Sequence, residues 1–253
     1  SEREIRWARR AFYALCTQID QQIGAIIGTI REEGILDETI IMFTSDHGDM
    51  LGNHGMWAKQ TFYEGSSNVP MILMGKCGDD CLPFGSVDDR VTGLQDIMPT
   101  LLGLAGIEPP SHVDGRSMVS DAPRDYIYGE FGEESHSSRM VRDMRHKLIW
   151  YPCGNRVQLF DLENDPREMT DLGSDPDHAG TVQRLIGLLR SETYGSDEKW
   201  WDGNTPKGEP GRTFRPGPNR GLNLTRGNQW PVPPINRKGD MVFFPEAPTR
   251  DVP

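Results

Sequence analysis

No stretch of about 18 consecutive apolar residues occurs in the chain, so no helical span of a bilayer is expected. Cysteine is sparse, with Cys16, Cys77, Cys81 and Cys153 the four in 253 residues. Cys77 and Cys81 are separated by three residues and have no second pair, which argues against a zinc site and leaves a local disulfide open. Cys16 falls on the apolar side of a helical pattern and reads as core. Positive charge is also short: 27 Lys and Arg face 38 Asp and Glu, for a formal net charge of −11. That balance argues against nucleic acid or an anionic membrane as the main partner. An anionic substrate would need a local positive centre, from a metal ion or a lysine, built against the overall field. The opening residues SEREIRWARR are charged and fit a helix, so no secretory leader is expected and the compartment stays open.

What the chain does contain is enough apolar residue, 36%, to bury a core in one large domain or two small ones. Ile5, Ala8, Phe12, Leu15, Ile19, Ile23, Ile26 and Ile30 recur at spacings of three and four, which predicts one long amphipathic helix stopped at Gly34. Residues 39–44 then form a short β-branched run that suits a strand covered on both faces, as in a parallel sheet flanked by helices. A second such run spans 69–74, and residues 94–105 predict a helix with Pro99 in its first turn or at a kink. Between 124 and 162 the alternating segments RDYIYGEF, RMVRDMRHKLIWYP and VQLFDL predict a small antiparallel sheet, and 179–193 one more helix. From 202 onward 17 of 52 residues are Pro or Gly, so either plain disorder or an extended tail wrapping the surface or a neighbouring subunit is expected, with Trp200, Trp201, Trp230, Phe243 and Phe244 as anchors for the latter. The tail offers a surface for self-association, and Asn223 opens a glycosylation sequon.

The first strand ends in Thr44-Ser45-Asp46-His47-Gly48. Ligands of open α/β sheets bind at the carboxyl ends of strands, and a carboxylate beside an imidazole suits a divalent cation. The pair also fits a plainer description, Asp46 capping a turn and His47 solvated. Asn53-His54-Gly55-Met56-Trp57-Ala58-Lys59 follows, a polar loop with one cation. Lys59 would offer a point charge to sulfate or phosphate, and His54 a donor to a leaving-group oxygen or to substrate. Both also fit ordinary surface roles.

Thr44 through Glu64, continuing to Val69-Pro70, resembles the second signature region of the type I sulfatases, members of the alkaline-phosphatase-like superfamily. Phe12–Asp20, Gln95–Ile107 with Asp114–Ser117, and Leu159–Glu168 with Asp171-Leu172 resemble the flanking segments in order and spacing. The wording looks closest to choline-sulfatase-like and arylsulfatase-like members. The resemblance, over about residues 5–195, implies an α/β fold with a mixed sheet flanked by helices over 1–120; the residues themselves give a small antiparallel-sheet subdomain over 121–200 and a Pro/Gly-rich tail over 201–253. It implies Asp46 and His47 as ligands of Ca²⁺, or of Mg²⁺ or Mn²⁺, and Lys59 as the sulfate-binding cation. His54 would serve the leaving group, and Glu64, Glu130 and His136 are candidates to line the pocket with it. The substrate would be a sulfate-ester small molecule or a sulfated carbohydrate.

The family's nucleophile is a formylglycine made within Cys-x-Pro/Ala-x-Arg or its serine version, and no such motif occurs here. Cys81-Leu-Pro-Phe-Gly85 comes nearest but has glycine in place of arginine and follows Asp46-His47 instead of preceding it. The expectation is therefore the C-terminal part of a sulfatase, inactive alone, with nucleophile and remaining metal ligands in a missing N-terminal portion. Two other readings stay open: a phosphonate or phosphate ester hydrolase of the same superfamily, and a non-catalytic remnant.

Overall fold

The computed structural model describes residues 2–75, 85–120, 123–133 and 136–211. The Cys77–Cys81 pair, the sequon at Asn223 and the aromatic residues Trp230, Phe243 and Phe244 lie outside the described residues. The chain divides into two compact units, one formed by 1–47 with 69–123 and the other by 48–68 with 124–253.

In the first unit, α1 (Glu2–Glu32) is the long helix that the three-and-four spacing predicts. It ends where Gly34 turns left-handed, φ 72°, and the Ile35 amide reaches back to the Ile30 carbonyl at 3.2 Å. None of its residues is buried: Leu15, Ile19 and Ile26 are exposed, and so is Cys16, which the apolar pattern had placed in a core. Periodicity marks a face but not its cover. Strand β1 (Ile41–Thr44) pairs with β2 (Met71–Met74) in antiparallel register, Ile41 opposite Met74 and Thr44 opposite Met71. The parallel, doubly covered strand expected from its apolar run is therefore not what these residues form. Phe43 and Ile72 stand exposed on this two-stranded ribbon. The helix expected at 94–105 begins as a 3₁₀ turn and continues as α3 (Ile97–Leu104), with Pro99 in the first turn, where its missing N–H costs nothing. Buried Asp96 accepts from the Gly93 amide at 2.9 Å and from the Arg116 amide at 2.8 Å, tying 114–117 to the start of the helix.

The second unit is built on a meander of β3 (Ile127–Phe131), β4 (Ser138–Arg142), β5 (His146–Tyr151) and β6 (Arg156–Asp161), paired in chain order. Alternate residues face opposite sides, as strand geometry requires. Val141, Leu148, Trp150 and Leu159 pack with Leu185, Ile186 and Leu189 of α4 (Ala179–Glu192) and with Trp200 and Trp201. Met140, Ile149, Tyr151 and Phe160 pack on the other side with Met50, Met56 and Tyr63. The sheet thus has α4 on one face and residues 48–68 on the other, which is why β5 is buried almost throughout. Past α4, strands β7 (Trp201–Asp202) and β8 (Thr205–Pro206) form a short hairpin, and Glu209 pairs with the backbone around Cys153.

Candidate active site

Asp46 and His47 follow β1 directly, in the first unit. The His47 amide donates to Asp46 Oδ1 at 3.0 Å, and His47 Nε2 lies 3.2 Å from Asp46 Oδ2. The Ser45 hydroxyl donates to the His47 carbonyl at 2.8 Å and steadies the turn. The Asp46 side chain is 81% exposed and that of His47 36%, so both donor atoms can be reached from solvent. Neighbouring ligands held about 2.3 Å from one ion lie about 3.3 Å apart, close to the separation of these two atoms. They would fit as two members of a divalent-cation shell. Among the described residues no group of three His, Cys, Asp or Glu side chains converges as a fuller ligand set.

Lys59, His54, Glu64 and His136 belong to the second unit. The segment carrying the first three closes on itself: the Gly48 amide donates to the Ser66 carbonyl at 2.8 Å, that of Met50 to Ala58 at 2.7 Å, and that of Gly52 to Met56 at 2.8 Å. Buried Met50 and Met56 seat it on the sheet. A Cβ on Gly48 would meet the Gly65 carbonyl oxygen at 2.2 Å, so glycine is required there by a close backbone approach. Of the six described non-glycine residues with positive φ, four are here: Leu51, His54, Ala58 and Gln60. Two of them flank Lys59. Left-handed backbone at side chains of this kind stores strain and concentrates at functional sites.

The His54 ring stacks on Tyr63, centroids 4.3 Å apart, and its Nε2 lies 3.1 Å from the Arg167 carbonyl. A carbonyl can only accept, so Nε2 carries the proton and Nδ1 holds the lone pair in the neutral ring. Burial, partly countered by a hydrogen bond with Gln158, pushes the Tyr63 hydroxyl above its ordinary value and keeps it neutral. Glu64 is engaged by cations of the sheet: Lys147 Nζ hydrogen-bonds its Oε1, and Arg142 lies at 3.4 Å. Burial works to raise the Glu64 carboxyl, but Lys147 and Arg142 outweigh it and hold it below its ordinary value. His136 and Glu130 are exposed, and Glu130 accepts from the hydroxyls of Tyr128 at 3.1 Å and Tyr194 at 2.9 Å.

Sequence reasoning passed over Lys147, Glu168 and Arg142. Lys147 is fully buried and Glu168 nearly so. The available signal was a lysine at an inward position of HKLIWY, a strand apolar on both faces, where only a paired charge is tolerated.

The family profile described as Sulfatase matches residues 6–107. An arylsulfatase of Clostridium perfringens is 37% identical over 231 residues, covering 85% of this chain and 46% of the relative. The chain belongs to the sulfatase family. A solved 2-O GAG sulfatase superposes with a TM-score of 0.62 at 26% identity, over 76% of this sulfatase-family chain and 47% of the other. A phosphonate monoester hydrolase from Silicibacter pomeroyi gives 0.60 at 30%, over 73% and 41%. The fold is accordingly the alkaline-phosphatase-like α/β fold. The chain spans less than half the length of each of these proteins.

Proposed function

We propose that this chain contributes to a centre that hydrolyses a sulfate monoester. The observation that carries the reading is the pairing of Asp46 Oδ2 with His47 Nε2, 3.2 Å apart and open to solvent at the carboxyl end of β1. In this reading Asp46 and His47 hold a divalent cation, Ca²⁺ or else Mg²⁺ or Mn²⁺, which when bound withdraws charge from the sulfate oxygens. Lys59 supplies a fixed positive charge to an anionic substrate, in a loop whose strained backbone fixes where that charge points. His54, oriented by Tyr63 and Arg167, gives the leaving oxygen a proton from Nδ1 when its ring is doubly protonated, and Nε2–H stays on the Arg167 carbonyl. Glu64 acts through its ion pairs, and His136 faces the organic part of the substrate. The formylglycine nucleophile comes from outside the 253 residues, which on their own do not turn over substrate. The substrate is a sulfated small molecule or carbohydrate, in keeping with the arylsulfatase and the 2-O GAG sulfatase among the similar proteins.

The likeness to a phosphonate monoester hydrolase supports a second reading, displacement at phosphorus. Aryl sulfate and aryl phosphonate assayed side by side on the complete protein separate the two, and faster phosphonate turnover would end the sulfatase reading. In that protein Asp46→Ala and Lys59→Ala should each reduce kcat/KM by about a hundredfold or more while the fold is kept. Near-normal turnover in either variant contradicts the assigned role.

A further inference from the structure

The turn after β6 holds the 48–68 segment at two points. The Arg167 carbonyl accepts from His54 Nε2 at 3.1 Å, and Glu168 Oε2 accepts from the Glu64 amide at 2.7 Å. Glu168 itself is left-handed, φ 57°, and buried. Lys147 Nζ uses its three protons on Glu168 Oε1 at 2.9 Å, the Phe62 carbonyl at 2.8 Å and Glu64 Oε1. With Arg142 beside Glu64, two cations face two carboxylates. A buried set of this kind adds little net stability over an apolar one, because desolvation offsets the attraction. Its contacts with Phe62 and Glu64 fix the path of the backbone instead.

Between His54 and Glu64 lies Lys59, flanked by left-handed Ala58 and Gln60. Such backbone persists only where its surroundings over-determine it. We propose that Lys147 and Glu168 are positioning residues that clamp the Lys59 loop in its strained conformation and so set where the Lys59 ammonium meets an anionic substrate. The identity of that substrate rests on the sulfate-ester reading; the clamp does not.

Glu168→Gln in the complete protein tests this at nearly constant shape. Lys147 and the Glu64 amide are held by different oxygens of Glu168, and in glutamine one of these becomes an NH2, which sets a donor against one of the two donors. Amides of 57–64 should then exchange hydrogen about tenfold faster or more, with β4 to β6 as protected as before. For an aryl sulfate, kcat should fall about tenfold or more while KM stays within about threefold. Unchanged exchange in 57–64, or a rise shared equally by the whole sheet, overturns the clamp, and so does a normal kcat with a loosened loop. If Glu168→Gln does not fold, the double variant Lys147→Met, Glu168→Gln removes one charge of each sign and is read the same way. Should the unsubstituted protein hydrolyse no sulfate ester, the sulfatase reading fails alone, and loop exchange still decides the clamp.

Discussion

Gly48→Ala is the sharpest single test of how the Lys59 loop is closed. Gly48 is not in the left-handed region, so a positive φ is not the reason for glycine here. The reason is space. The new methyl carbon would sit 2.2 Å from the Gly65 carbonyl oxygen, and ordinary contact begins at 3.4 Å, so the two backbones must part by about 1.2 Å. Both sides are backbone, and neither can rotate away. Parting them breaks the 2.8 Å bond from the Gly48 amide to the Ser66 carbonyl, a loss of about 1 kcal/mol. Displacing packed backbone adds about 1–3 kcal/mol, for a total of about 2–4 kcal/mol. Urea denaturation of the complete protein, followed by hydrogen exchange over 48–68, measures it. Gly187→Ala is the control: nothing lies within 4 Å of its Cβ in α4, and it should stabilise by about 0.5–1 kcal/mol. A Gly48→Ala cost below about 0.5 kcal/mol would refute the close-approach argument.

Arg139 and Asp197 form a buried ion pair at 2.6 Å, with further donations from Arg139 to the Phe131 and Ser138 carbonyls. Arg139→Met should cost about 3–5 kcal/mol in denaturation midpoint analysis, because it strands the Asp197 charge. Burial lowers the His146 imidazole below its ordinary 6.5, despite nearby Asp143. A depressed folded value means a stabilising contribution present above pH 6.5 and lost as pH falls through the folded value. Glu64, held below its ordinary 4.5, adds a second loss at lower pH. Melting temperature measured against pH should therefore drop in two steps, and His146→Asn should abolish only the first.

Helices and the antiparallel meander were readable because each repeats a local period: three and four in α1 and α4, two in β3 to β6. The cover over a face was not readable. Leu15 and Cys16 show the pattern of a buried stripe and lie exposed, and β1 has the composition of a doubly covered strand yet pairs antiparallel with half-exposed β2. Asp46 and His47 could be paired from the sequence because adjacency in sequence fixes adjacency in space. Lys147 and Glu168 reach Phe62 and Glu64 across 85 and 104 residues, and no periodicity encodes a contact at that range. Their buried charge becomes intelligible only once the 48–68 segment is known to cover that face of the sheet.

That separation along the chain also has a consequence in time. The ribosome delivers Glu168 104 residues after Glu64, which at about 5–20 residues per second is a wait of about 5–20 s. For all of that interval the loop with Lys59 has no sheet to lie on and no Glu168 to receive its amide. The meander, whose strands pair in chain order, can form as soon as it emerges, and only then is its charged face ready. In this unit the segment made first is therefore the one shaped last, and the ammonium group acquires its aim only after the framework behind it has been synthesised.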